Sequence, residues 1–191
     1  MRNTTAEIGY RAGAARHDLH AAVTVEDHRR GAMRPRVTVV EYGDFASPAC
    51  RAAEPAVRLL LASYPDTVQL VFRHFPVEYA NPLAMTAAEA TEAAAAQGKF
   101  WEMHDLLLEE GASLARTSLE LAARRIGLDV VRFNASMGGE SARQRILEHR
   151  VEAIRSHIRA SPEFFVNGAV CDVTFGLAQL ECAVRAALQG D

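Results

Sequence analysis

Cysteine is scarce in this 191-residue sequence, and lysine is almost absent. The three cysteines, Cys50, Cys171 and Cys182, are too few and too scattered for the disulfide framework of a small secreted domain. Lys99 is the single lysine among 21 basic residues, and the arginines alternate with acidic residues as on a solvated surface. A formal net charge of −3 provides no general attraction for nucleic acid or for an anionic membrane, so we expect neither as a partner.

Long apolar runs are also missing. No stretch reaches the roughly 18 apolar residues of a membrane-spanning helix, and residues 1–16 lack the apolar core of a secretory signal, so we expect a cytoplasmic protein. Glycine-rich phosphate loops, zinc-ligand spacings and a Ser-His-Asp pattern are absent, and we expect no resident cofactor or metal. The pair His17-x-x-His20 could bind a metal, but no cysteine or carboxylate completes the set, which favours solvated histidines.

The length suits one domain with a single core. Residues 1–34 are polar and show no sustained period, which predicts an N-terminal arm before a domain over residues 35–191. Within that domain, the β-branched run 37–42 predicts a buried central strand, although Glu41 places a carboxylate inside it. Residues 68–75 predict a second strand.

Between these strands, Ser47 is a suitable N-cap and Pro48 a suitable first residue for a helix. From about residue 80 to 158 the pattern is helical almost throughout, which predicts a helical insert. Asn167-Gly168 then predicts a tight hairpin, because a type I′ turn needs two positive φ angles. A two-residue turn there would place Cys171 opposite Phe164, and a last helix follows.

Four segments in this order resemble the DsbA-like branch of the thioredoxin superfamily. The resemblance implies an α/β, thioredoxin-like fold with a helical insertion, and thiol–disulfide exchange with protein or peptide thiols and disulfides as partners. The segments are Val39-Val40-Glu41-Tyr42-Gly43-Asp44-Phe45, Phe72-Arg73-His74-Phe75-Pro76, Gly98-Lys99-Phe100-Trp101-Glu102-Met103-His104, and Pro162 followed by Phe164-Phe165-Val166-Asn167-Gly168.

The family's redox motif is altered in this chain. Where the family has Cys-Pro-x-Cys at the start of the first long helix, this sequence reads Ser47-Pro48-Ala49-Cys50. The resemblance places Ser47 at the position of the attacking cysteine and Cys50 at that of the resolving cysteine. A hydroxyl cannot replace a thiolate in disulfide exchange. The motif of this chain therefore lacks the attacking thiol of the family's two-cysteine exchange. The fold does not depend on that thiol.

The resemblance also assigns residues around the motif. Glu41 matches a buried acid that moves protons beneath it, and Pro162, preceded by Ser161, matches a cis-proline that helps to hold the substrate backbone. The predicted substrate contacts are Pro48, Ser161 and Pro162. Cys50 lies in the first turn of a helix, where the helix dipole should favour its thiolate.

Three functions remain open on this basis. The first is single-thiol redox chemistry through Cys50, with an external thiol such as glutathione as co-substrate. The second is a non-catalytic module that pairs Ser161-Pro162 with an extended peptide. The third is a glutathione-dependent, kappa-class-like transferase or isomerase that uses Ser47. An internal disulfide is not expected, because Cys171 should lie two strands from the central strand, about 10 Å away.

Overall fold

The computed structural model of the chain describes residues 18–109, 113–174 and 176–190. The strands of the described part are β1 (His28–Gly31), β2 (Val37–Gly43), β3 (Val68–His74), β4 (Glu163–Val166) and β5 (Ala169–Cys171). Its helices are α1 (Pro48–Ser63), α2 (Ala84–Ala95), α3 (Phe100–Glu109), α4 (Arg116–Arg125), α5 (Val130–Ser136), α6 (Glu140–Arg155) and α7 (Ala178–Gln189).

The strands form one mixed sheet in the order β1-β3-β2-β4-β5. The central β2 and β3 are parallel and are joined by α1, whereas the other neighbours are antiparallel. Val40 of β2 pairs with Val71 on one side and with Phe165 on the other. The prediction that residues 37–42 form a central strand is therefore confirmed, and the helical insert comprises α2–α6 between β3 and β4.

The hairpin of β4 and β5 has the predicted turn and register. Asn167 and Gly168 have φ angles of 47° and 85°, as a type I′ turn requires. Phe164 pairs with Cys171. This register buries Cys171 among the apolar side chains beneath α7, so its thiol acts there as a small hydrophobic group.

Strand β1 was not predicted, because it lies within the polar segment 1–34. It pairs antiparallel with β3 and is stabilised by side-chain contacts with α3. Arg30 donates to both carboxylate oxygens of Asp105 at 2.8 Å, and its guanidinium lies 4.4 Å from the ring centroid of Trp101. Because these contacts are ionic and cation–π contacts with a helix distant in sequence, they produce no hydrophobic periodicity from which the strand could be predicted. His17 of the His17-x-x-His20 pair lies outside the described residues.

Both faces of the sheet are covered by helices. Successive residues of β2 point to opposite faces, as a strand requires. Val39 packs with Phe164 on the face covered by α1 and α7. Val40 packs with Phe165 and with Ala153 of α6 on the other face. The carboxyl end of β2, where the altered redox motif begins, is therefore held between two apolar layers.

Candidate active site

The turn after β2 delivers the motif to the start of α1. Asp44 organises this turn, since its Oδ1 accepts from the N–H of Ala46 at 2.8 Å and its carbonyl accepts from the N–H of Ser47 at 3.0 Å. Ser47 has extended backbone and its Oγ accepts from the N–H of Cys50 at 3.4 Å, which makes it the N-cap. Pro48 is the first helical residue and is exposed. The predicted helix start is confirmed.

The loop before β4 lies directly against Ser47. The Ser161–Pro162 peptide bond is cis, as expected from the resemblance. The Ser47 hydroxyl donates to the carbonyl oxygen of Ser161 at 3.3 Å. The structure therefore brings together the motif and the loop, which are separated by more than a hundred residues in sequence.

Cys50 lies beneath Ser47 and is only 1% exposed. It packs in an apolar cluster that includes Phe45 and Phe72, and its Sγ accepts from the N–H of Asp44 at 3.4 Å. Burial, reinforced by the nearby charge of Glu41, raises the pKa of the Cys50 thiol to about 12. The expectation of a favoured thiolate is therefore wrong, because desolvation outweighs the helix N-terminus and the hydrogen bonds.

Glu41 is the second buried ionisable group of the site. It is 1% exposed, and no described residue forms a hydrogen bond with its Oε2. Burial, with a further contribution from the charge of Glu54, raises the pKa of Glu41 to about 8. A carboxyl group with such a pKa is protonated at neutral pH and can exchange a proton there.

Glu54 is a site residue that our sequence reasoning missed. It follows Cys50 by four residues in α1, so both side chains lie on the inward face of the helix. Its side chain is 4% exposed, and its Oε1 accepts from Nε of Arg58 at 3.0 Å. The available signal was a glutamate four residues after Cys50. The same glutamate stands four residues before Arg58, which is also the spacing of an ordinary ion pair on a helix surface.

Ser47, Cys50, Ser161 and Glu41 are thus assembled at one place, with Pro48 on the solvent side. All three cysteines are free thiols. The described part of the chain contains two groups of side chains with metal-ligand spacing, and neither includes a predicted site residue. The arrangement has the geometry of a redox motif, but a hydroxyl occupies the accessible position and the thiol is buried behind it.

The chain matches a known protein family. The sequence model of a family described as thioredoxin matches residues 23–186. The chain belongs to the thioredoxin family. Among solved structures, this thioredoxin-fold chain is similar to a thioredoxin-like oxidoreductase from Silicibacter pomeroyi DSS-3. The two are 28% identical with a TM-score of 0.78, over 86% of this chain and 94% of that one.

Two further solved structures share this fold with the chain. BdbD of Bacillus subtilis has a TM-score of 0.74 at 19% identity, over 86% of this chain and 94% of its own. The thiol-disulfide exchange protein alpha-DsbA2 of Wolbachia pipientis has a TM-score of 0.73 at 18% identity, over 85% of this chain and 87% of its own. The predicted family and the predicted fold class are therefore confirmed.

Curated relatives of higher identity are much longer proteins. The Na⁺/H⁺ antiporter NhaA 1 of Salinispora arenicola is 43% identical over 164 residues, which cover 86% of this chain and 25% of the antiporter. NhaA 3 of Salinispora tropica is 44% identical over 161 residues, 84% of this chain and 24% of its own. The chain spans about a quarter of the length of these relatives. Among the described helices, none combines the length and the apolar character needed to cross a bilayer.

Proposed function

We propose that this DsbA-like protein holds extended segments of partner polypeptides at the Ser161–Pro162 loop and performs at most slow, single-thiol exchange through Cys50. The observation that carries the proposal is the position of Cys50, 1% exposed beneath a serine that replaces the attacking cysteine. The family acts on protein thiols and disulfides, and the preserved loop and helix start favour a partner of the same class.

The single-thiol reaction has a defined course. The Cys50 thiolate attacks a disulfide of the partner, one partner sulfur leaves as a thiolate, and a mixed disulfide with Cys50 results. An external thiol such as glutathione then attacks the partner's sulfur of that bond, releasing Cys50 as a thiolate and leaving the partner joined to glutathione. The first step is slow, because the buried Cys50 side chain must first become exposed to solvent and lose its proton.

Binding does not depend on the missing sulfur. The Ser161 carbonyl lies at the surface of the motif, where the Ser47 hydroxyl contacts it at 3.3 Å, and Pro48 is exposed beside it. An extended segment that pairs with the backbone at this loop gains strand-like hydrogen bonds without any covalent step.

The reactivity of Cys50 tests the proposal. Native protein carrying Cys171→Ala and Cys182→Ser, in which Cys50 is the remaining thiol, is mixed with an aromatic disulfide reagent and the released thiolate is followed. We expect Cys50 to react about 10²-fold more slowly than a small free thiol such as glutathione, because burial raises its pKa to about 12 and leaves a far smaller thiolate fraction, which the higher nucleophilicity of that thiolate offsets only in part. Fast reaction of Cys50 would overturn the binding role in favour of an enzyme.

A paired variant tests the geometry of the motif. Ser47→Cys should form a disulfide with Cys50 on oxidation, seen as a loss of two hydrogens by mass spectrometry, and should gain activity in insulin reduction. Ser47→Ala is the matched control and should gain neither. Saturable binding of glutathione by the unaltered chain that Ser47→Ala abolishes would instead support the glutathione-dependent function.

A further inference from the structure

Three side chains form a second polar cluster, apart from the Cys50 motif. His28 comes from β1, His74 from the end of β3 and Glu92 from the middle of α2. Nε2 of His28 lies 2.7 Å from Oε1 of Glu92, and Nε2 of His74 lies 2.8 Å from the same oxygen. The side chains are 13%, 0% and 7% exposed, respectively. Two imidazole nitrogens and a carboxylate oxygen thus converge on one point in a nearly dry environment.

Ring stacking fixes the orientation of both histidines. The ring of Phe100 lies parallel to that of His28, with centroids 3.5 Å apart and an angle of 8°. The ring of His149 stacks on His74 at 5.7 Å and 26°, and its Nδ1 accepts from the N–H of His74 at 3.1 Å. Both imidazoles are therefore held with Nε2 directed at Glu92, and little ordering is needed to bind a ligand between them.

A cavity of about 690 Å³ opens onto this cluster. His28 and Glu92 contribute to its wall together with Ser136, Ser141 and Arg145. Nε of Arg145 lies 3.4 Å from Oε2 of Glu92, the oxygen that does not contact the histidines. One carboxylate oxygen is thus oriented by an arginine, while the other faces the two imidazoles beside a space that can hold water.

We propose that His28, His74 and Glu92 bind one divalent cation of the zinc type, through Nε2, Nε2 and Oε1, with a fourth position open to the cavity. Two histidines and a glutamate are an established ligand set for tetrahedral zinc. With metal–ligand bonds of about 2.0–2.1 Å, tetrahedral ligand atoms lie roughly 3.3 Å apart. The nitrogens therefore need to withdraw from Oε1 by only about 0.6 Å.

The hydrogen-bond geometry of His74 is compatible with a metal at its Nε2. No described residue hydrogen-bonds to Nδ1 of His74, so its proton can move there when Nε2 binds the cation.

Titration of metal-stripped, reduced protein with Zn²⁺ in a calorimeter tests the site. We expect one equivalent of Zn²⁺ to bind, and His28→Gln to weaken binding by about 100-fold or more, since even indirect partners of a metal are worth about 10–100-fold. His20→Gln, which removes an exposed histidine, is the matched control and should leave the affinity unchanged. Glu92→Gln is a second variant, with folding checked by circular dichroism; if it unfolds, His28→Gln decides.

Cobalt distinguishes this cluster from the cysteines. Bound Co²⁺ should give the visible absorption of a tetrahedral site with nitrogen and oxygen ligands, without the near-ultraviolet charge-transfer band of a thiolate ligand. The absence of stoichiometric binding in the unaltered protein would overturn the proposal. So would full binding by folded His28→Gln, or loss of binding in His20→Gln or Cys182→Ser.

Discussion

Replacing the buried carboxyl group of Glu41 by an amide should change how stability depends on pH. In the folded protein burial raises the pKa of Glu41 to about 8, whereas the same group in the unfolded chain titrates at its usual value of 4.5. Below pH 4.5 the group is neutral in both states and costs nothing. Between 4.5 and 8 the unfolded chain releases the proton that the folded chain retains, so stability falls as the pH rises.

The size of this effect follows from the two pKa values. Each pH unit in that window costs about 1.4 kcal/mol of unfolding free energy. The wild type should therefore lose about 3 kcal/mol by pH 7 and about 5 kcal/mol by pH 9 through this group alone. Glu41→Gln cannot ionise and avoids that loss. We expect the stability difference between the two proteins to shift by about 3 kcal/mol in favour of the variant between pH 4 and pH 7.

Urea unfolding of both proteins at pH 4, 7 and 9 measures this difference directly. Comparing differences across pH removes the constant effect of the amide on local hydrogen bonding. Glu78→Gln, a change in an exposed ion pair with Arg150, is the control and should change the difference by less than about 1 kcal/mol over the same pH range. If the difference for Glu41→Gln also stays constant, the carboxyl group is not held neutral by burial, and our account of the site is refuted.

Two further substitutions test a buried ion pair and the packing of Phe72, which lies in the same apolar cluster as Cys50. Asp27→Asn should destabilise the protein by about 3–5 kcal/mol in urea unfolding, because it leaves the 2% exposed guanidinium of Arg73 without its main partner; breaking the exposed ion pair of Glu78 should cost less than about 1 kcal/mol. Gly43→Ala would place Cβ 2.3 Å from Cε2 of the buried Phe72, so we expect a loss of about 1–3 kcal/mol, and an unchanged midpoint would contradict the described packing.

The elements that sequence reasoning predicted well are those whose signals are local. The β-branched run of β2, the Ser47-Pro48 helix start and the Asn167-Gly168 turn each specify a backbone conformation within a few residues. The Asn167-Gly168 turn also predicted the pairing of Phe164 with Cys171, whereas the order of the central strands came from the family resemblance. The cis bond at Pro162 came from the family resemblance and not from any local rule.

What the sequence could not supply depends on contacts between distant segments. Strand β1 forms because Arg30 reaches Asp105 of α3, a contact that no periodicity reveals. The state of Cys50 depends on how deeply the helical insert buries it, and that depth reverses the effect expected from the helix dipole. The polar cluster of His28 and Glu92 joins two segments that individually look like a loose arm and an alanine-rich helix.

The two outer strands of the sheet have a consequence for how partners can approach. Strand β1 has four residues, of which Arg29 is exposed, and ends at Gly31, whose φ of 101° turns the chain away. Strand β5 has three residues, and Asp18 forms a bridge with Ala169 on its open side. Neither edge strand exposes a long row of unpaired backbone N–H and C=O groups. Addition of a strand from another chain at these edges, in binding or in aggregation, is therefore disfavoured. The peptide binding that we propose therefore uses the end of the sheet, where the Ser47 hydroxyl contacts the Ser161 carbonyl, and not either outer strand.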